Sequence, residues 1–103
     1  MSVRTAADRM TSDRTRHIAH RTGARTWRLS WLPDREVPAG HAITGLLLAE
    51  KVARDKLTPQ GRHSALIMDW AADLGLTAEE AITRIWTMPH VIQAAPEQAG
   101  GAG

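Results

Sequence analysis

His17 and His20 stand three apart, a spacing that on a helix would bring two imidazoles to one face as metal ligands. No third ligand accompanies them, and the chain has no cysteine to add a thiolate. His63 directly precedes Ser64, the residue types of a base and a nucleophile. Neighbours on a helix point about 100° apart, so adjacency does not pair them, and the polarity of a helix start accounts for both. Asp69 and Asp73 share a helix face. Two carboxylates divide acid and base roles only where a cleft pushes their pKa values apart, and without one they form a solvated face. Gly40 and Gly45 flank a helix start but lack the lysine and hydroxyl that follow a phosphate loop. The chain reads as non-enzymatic, with no catalytic residue, no cofactor and no metal.

What remains is binding chemistry, and the arginines dominate it. Arg4, Arg9, Arg14, Arg16, Arg21 and Arg25 stand against Asp8 and Asp13, an excess of four positive charges over residues 1–25. Over all 103 residues the net charge is only +2. A basic arm precedes a mildly acidic globule. Such an arm can meet nucleic acid, although apolar-poor, arginine-rich leaders are often only solvating.

The elements that would position these groups follow from periodicity. Residues 1–24 show no sustained apolar period and read as a disordered basic arm. From Thr26 to Leu32, Trp27, Leu29 and Trp31 alternate with Thr26, Arg28 and Ser30, the period of a half-buried strand. A first helix is expected from about Ala39 to Arg54. Its small residues Ala42, Gly45, Ala49 and Ala53 make a stripe that lets another backbone approach, while Ile43, Leu46, Leu47, Leu48 and Val52 widen the apolar arc. A second helix is expected from about Arg62 to Leu74, with Gly75 as its left-handed stop. Thr77 and Glu80 form a capping box that starts a third at Ala78. The folded domain spans 25–89, and 90–103 is a flexible tail. The expected fold class is mainly α: one short N-terminal strand followed by three helices.

A lone strand leaves its backbone groups unpaired along both edges. It can close on Arg35–Val37 as a small hairpin, or pair with its own copy about a twofold axis. The second solution makes the protein a homodimer, with Trp27, Leu29 and Trp31 at the shared interface. Surplus apolar surface on Leu46, Leu47, Leu48 and Val52 would then meet a protein partner.

The stretch TWRLSWL followed by helices resembles the ribbon-helix-helix repressors, dimers whose paired strands enter the major groove. That resemblance implies Arg28 and Ser30 as outward readers, with Arg14, Arg16, Arg21 and Arg25 adding phosphate contacts. The connection from Pro33 to Ala39 is longer than that fold uses, and the third helix is extra. DWAADLGLTAEEAITRIW resembles a helix-turn-helix, but its large apolar residues fall at Ile82 and Ile85 rather than at 81 and 84. WRLSWLPDR, an AIT helix start and DWAADLGLTAEEA are together similar to small uncharacterised proteins of actinobacteria and their phages. That resemblance implies no activity and no functional residues.

The longest uninterrupted apolar run, Gly45 to Ala49, is far short of the roughly 20 residues that cross a bilayer. The expectation is a cytoplasmic, non-membrane binding protein in an accessory or regulatory role. A protein partner is favoured over DNA because the globule is acidic and its basic element is an arm.

Overall fold

The computed structural model describes residues 3–89. Five short strands lead the chain: β1 (Val3–Thr5), β2 (Arg9–Ser12), β3 (Ala19–Arg21), β4 (Thr26–Leu29) and β5 (Leu32–Pro38). Three helices follow, α1 (Ala39–Asp55), α2 (Ala65–Asp73) and α3 (Ala78–Thr87). The strands form one antiparallel sheet in sequence order, each paired with the next. The fold is therefore α+β, which corrects the expectation of a mainly α chain with one strand.

Three of the five strands lie in the segment expected to be a disordered arm. The reason is their brevity. At three or four residues each they show no readable alternation, and β2 and β3 each bury a single side chain, Met10 and Ala19. The folded unit thus begins well before residue 25, and the tail expected over 90–103 lies outside the described residues.

The strand expected from Thr26 to Leu32 breaks after Leu29. Leu29 pairs with Leu32, so Ser30 and Trp31 are the turn between β4 and β5. Neither takes a positive φ, which rules out the primed turns that match strand twist. The register shifts between Trp27 and Leu29. β4 is now paired on both edges, by β3 and by β5, so the unpaired strand that called for a second subunit does not exist.

One face of the sheet carries Met10, Ala19, Trp27 and Leu29, all buried. α1 lies across it on the small-residue stripe: Ala42, Gly45 and Ala49 are buried, and a Cβ on Gly45 would overlap the Leu29 side chain. The close approach inferred for that stripe is made by this chain's own sheet. Trp31 points inward from its turn, fully buried, and its indole N–H donates to the Gly45 carbonyl at 3.2 Å.

The helix boundaries follow their local signals. α1 ends at Lys56 in the left-handed conformation, φ 51°, its N–H donating to the Val52 carbonyl. Ser64 caps α2 by accepting from the Ile67 N–H at 3.3 Å. Gly75, φ 76°, turns the chain after α2. Thr77 and Glu80 form the complete capping box of α3. Hydrogen bonds from the Thr77 backbone and hydroxyl hold the Glu80 carboxyl below its usual range. α2 and α3 close the core beyond α1 with Ile67, Ala71, Ile82 and Ile85.

Candidate functional site

With α1 on the inner face, no element among the described residues covers the outer face of the sheet. Side chains alternate along each strand, so the register assigns that face. Arg9 pairs with His20, and His20 with Arg28, in one row across β2, β3 and β4. The row continues to β5, where Arg28 Nη2 donates to Glu36 at 3.3 Å. Arg4 sits opposite Thr11 in the neighbouring row. Arg4, Arg9, His20 and Glu36 are exposed and Arg28 is half-buried. Adjacent strands lie about 4.8 Å apart, so Arg9, His20 and Arg28 span roughly 10 Å. The face is basic, with Thr11 and Thr26 between the charges.

Other charges have different work. Asp34 accepts from Arg84 of α3 at 3.3 Å, on the helix side. Arg35 Nη1 donates to the Leu74 carbonyl at 2.9 Å and ties β5 to the end of α2. Arg21 caps three backbone carbonyls, of Ala7, Gly23 and Ala24. Arg14 and Arg16 lie exposed in the β2–β3 connection, and Arg25 in the turn before β4.

Of the residues expected to read nucleic acid, only Arg28 reaches this face. Ser30 is 2% exposed. Its hydroxyl oxygen accepts from the Ile18 N–H at 3.0 Å and lies 2.8 Å from His17 Nδ1. His17, 1% exposed, places Nε2 2.7 Å from the Ile85 carbonyl. A carbonyl only accepts, so Nε2 carries the proton and donates to it, while Nδ1 and the serine hydroxyl share the second hydrogen bond. Serine and histidine are thus at the distance of a nucleophile and its base, yet both are enclosed and bonded to backbone. They tie the β4–β5 turn to α3. His17 points into the core and His20 out onto the open face, so the two imidazoles do not share a metal. Among the described residues no group of three or more His, Asp or Glu is placed to hold one.

A second concave feature lies at the edge of the sheet, a cleft of about 470 Å³. α1 contributes Leu47, Glu50, Lys51 and Arg54, residues three and four apart and so on one side of the helix. Trp70 of α2 and Asp13 and Arg14 of the β2–β3 connection complete its lining. Glu50 is only 9% exposed. Its carboxylate accepts from the Ser12 hydroxyl, whose oxygen accepts from the Arg14 N–H at 2.9 Å. That relay fixes the connection against α1. Lys51 and Arg54 both pair with Asp55, at 3.1 and 3.3 Å. The Lys51 hydrogen bond, then that of Arg54, lowers the Asp55 carboxyl pKa despite some desolvation.

The residues expected to form a protein interface are mostly core. Trp27, Leu29, Trp31, Leu46, Leu48 and Val52 are buried, and Leu47 is half-buried at the cleft. Among the described residues the exposed large apolar side chains are Leu66, Met68 and Trp86, at 45%, 49% and 51%. The Trp86 indole N–H donates to the Leu57 carbonyl at 2.7 Å.

Arg4, Arg9, His20, Glu50 and Trp70 were not legible as site residues from the sequence. The one available signal was the alternation Arg9-Met10-Thr11, too short to separate from chance. No family model, no curated protein and no solved structure matches the chain. Among the described residues no helix is long and apolar enough to cross a membrane.

Proposed function

We propose that the chain is a small non-enzymatic binding protein, accessory or regulatory in role, whose open sheet face docks on the phosphate backbone of nucleic acid. The observation that carries this reading is the convergence of Arg4, Arg9, His20 and Arg28 from four strands on one bare face, with Glu36 as its acidic neighbour. The sequence favours a protein partner on the premise that an acidic globule carries its basic element as an arm, and the pairing of β1, β2 and β3 into the sheet removes that premise. The ribbon of a ribbon-helix-helix dimer has no place here, since β4 is paired on both edges within the chain.

The same face suggests how it binds. The chain has no Phe or Tyr; Trp27 and Trp31 are buried, and Trp70 and Trp86 sit on α2 and α3. With no Phe, Tyr or Trp on it, the face lacks the large aromatic stacking platform that single-strand binders use. Its arginines and threonines suit phosphate contacts, which position a protein without reading sequence. Duplex binding should be sequence-tolerant and salt-dependent.

The test is fluorescence anisotropy with a labelled duplex across salt concentrations. Each phosphate contact contributes a slope of about −0.9 in log K against log salt. The Arg4→Ala, Arg9→Ala double variant should make that slope shallower by about 2. An unchanged slope, or no binding at low salt, would sink the proposal.

A protein partner is the second reading, on a different surface from the one the sequence suggested. Leu66, Met68 and Trp86 are the large apolar side chains in solvent, and a second copy of this chain is the simplest protein to cover them. Light scattering on a sizing column decides the homodimer, and a monomer at all concentrations tested removes it.

A further inference from the structure

We propose that Glu36 is a built-in competitor for the open sheet face: its carboxylate holds the Arg28 guanidinium in the free protein and is displaced by a backbone phosphate when nucleic acid binds. The inference rests on the nucleic-acid reading above and adds a control to the same face.

A planar guanidinium offers its donors in a fixed fork. Nε–H and one Nη2–H lie parallel along one edge, an arrangement that meets two oxygens of a carboxylate or phosphate at once. Glu36 takes only one of these nitrogens: its Oε2 accepts from Arg28 Nη2 at 3.3 Å, longer than the roughly 2.7–2.9 Å of a strong charge-assisted bond. Nε is left over. Among the described residues it is the buried side-chain polar atom with no hydrogen-bond partner, a condition that folded proteins ordinarily avoid. The pair also lies in reach of water, with 36% of the Arg28 side chain and 47% of the Glu36 side chain exposed, and exposed ion pairs are weak. An arginine placed only for a structural ion pair would fill both prongs of its fork. This one is held by a single long prong, on the edge a phosphate needs.

The backbone puts Glu36 there. Between the pairs Trp27–Val37 and Leu29–Leu32, β4 contains Arg28 alone, while β5 contains Pro33, Asp34, Arg35 and Glu36. Such irregularities gather beside functional sites, where they re-aim a side chain. Asp34 bonds Arg84 and Arg35 bonds the Leu74 carbonyl, both on the helices' side. Glu36 is the charge of that excursion sent to the basic row. A tethered carboxylate outcompetes a single free phosphate through its effective concentration. A duplex already engaged by Arg4 and Arg9 presents its next phosphate with the same advantage, so the contact yields to a polyanion. When Arg28 swings from Glu36 to phosphate, Nε gains an acceptor and Glu36 returns to water.

The test is duplex binding by the full chain with Glu36→Gln, Arg28→Gln and the two combined. Glu36→Gln should tighten binding by about three- to fivefold, and Arg28→Gln should weaken it. In the Arg28→Gln background the gain from Glu36→Gln should fall below about 1.5-fold, because the competitor has nothing left to hold. Equal gains in both backgrounds overturn the proposal, since Glu36 then acts only through the general field of the face. Weaker binding by Glu36→Gln also overturns it and makes the carboxylate a brace for Arg28. So does an Arg28→Gln chain that binds as tightly as the wild type. The Arg28 Nε–H resonance gives a readout that needs no variant to fold: it should shift when duplex is added, and a resonance that stays in place counts against the exchange of partners. If neither the wild type nor Glu36→Gln binds duplex, this inference falls with the reading it rests on. Wild-type binding with the expected Arg4→Ala, Arg9→Ala effect but no gain in Glu36→Gln overturns this inference alone.

Discussion

The two faces of the sheet are made by the same strands and have opposite chemistry. Inward, Met10, Ala19, Trp27 and Leu29 are buried under α1; outward, Arg9, His20 and Arg28 form a row with no element over it. Because neighbouring residues point to opposite faces, each strand contributes to the core and to the surface with adjacent side chains. Arg28 sits between Trp27 and Leu29, two buried core residues. The division teaches that stability and binding are separable here residue by residue, though not segment by segment. Deleting the N-terminal segment would remove both.

Substitutions on each face test that separation. The largest effect belongs to Trp31, whose indole fills the junction of the β4–β5 turn with α1 and bonds the Gly45 carbonyl. Trp31→Ala should cost about 3–5 kcal/mol in urea unfolding, enough to unfold a domain of this size. A loss below about 1 kcal/mol would mean the inner face is more loosely packed than described. Next comes Gly45→Ala. Alanine gains roughly 0.5–1 kcal/mol of helix stability, but its Cβ must displace the enclosed Leu29, and overpacking costs typically about 1–3 kcal/mol. The net expectation is a loss of about 1–2 kcal/mol, and a stabilised variant would show that α1 can lift from the sheet. Smallest is the outer face: Arg4→Ala with Arg9→Ala should shift stability by no more than about 0.5 kcal/mol. A larger loss would make those arginines structural and blur the contrast.

The helical half was far more legible than the sheet. Helix starts and stops are written in local chemistry: the Thr77–Glu80 box and the turn at Gly75 were each readable as single positions and stand where they were expected, whereas α2 starts at Ala65 behind a Ser64 cap rather than at about Arg62. Strands of three or four residues carry no such marks. Val3–Thr5, Arg9–Ser12 and Ala19–Arg21 each hold too few apolar residues to reveal a period, and their arginines mimicked a solvated leader. Ser30 shows a second kind of miss. Continued alternation would point it outward with Arg28, but the chain turns at Ser30 and Trp31, which carries the hydroxyl inward to His17. The cleft was invisible for a third reason, since Asp13, Glu50 and Trp70 are far apart in sequence and meet only by packing.

By itself the sequence determined the three helices, the enclosure of Trp27, Leu29 and Trp31, the close-approach stripe on α1, and the lack of thiol chemistry. These depend on residue type and on spacings of two to four, which one element satisfies alone. Only the tertiary structure decided that the basic leader is sheet, that Arg4 and Arg9 share a face with Arg28, and that Glu50 and Trp70 line one cleft. Each of these depends on which strands pair and which helices touch. Such long-range choices gain their free energy from burying Met10, Ala19 and Leu29 together under α1, a sum that no short window of the chain contains.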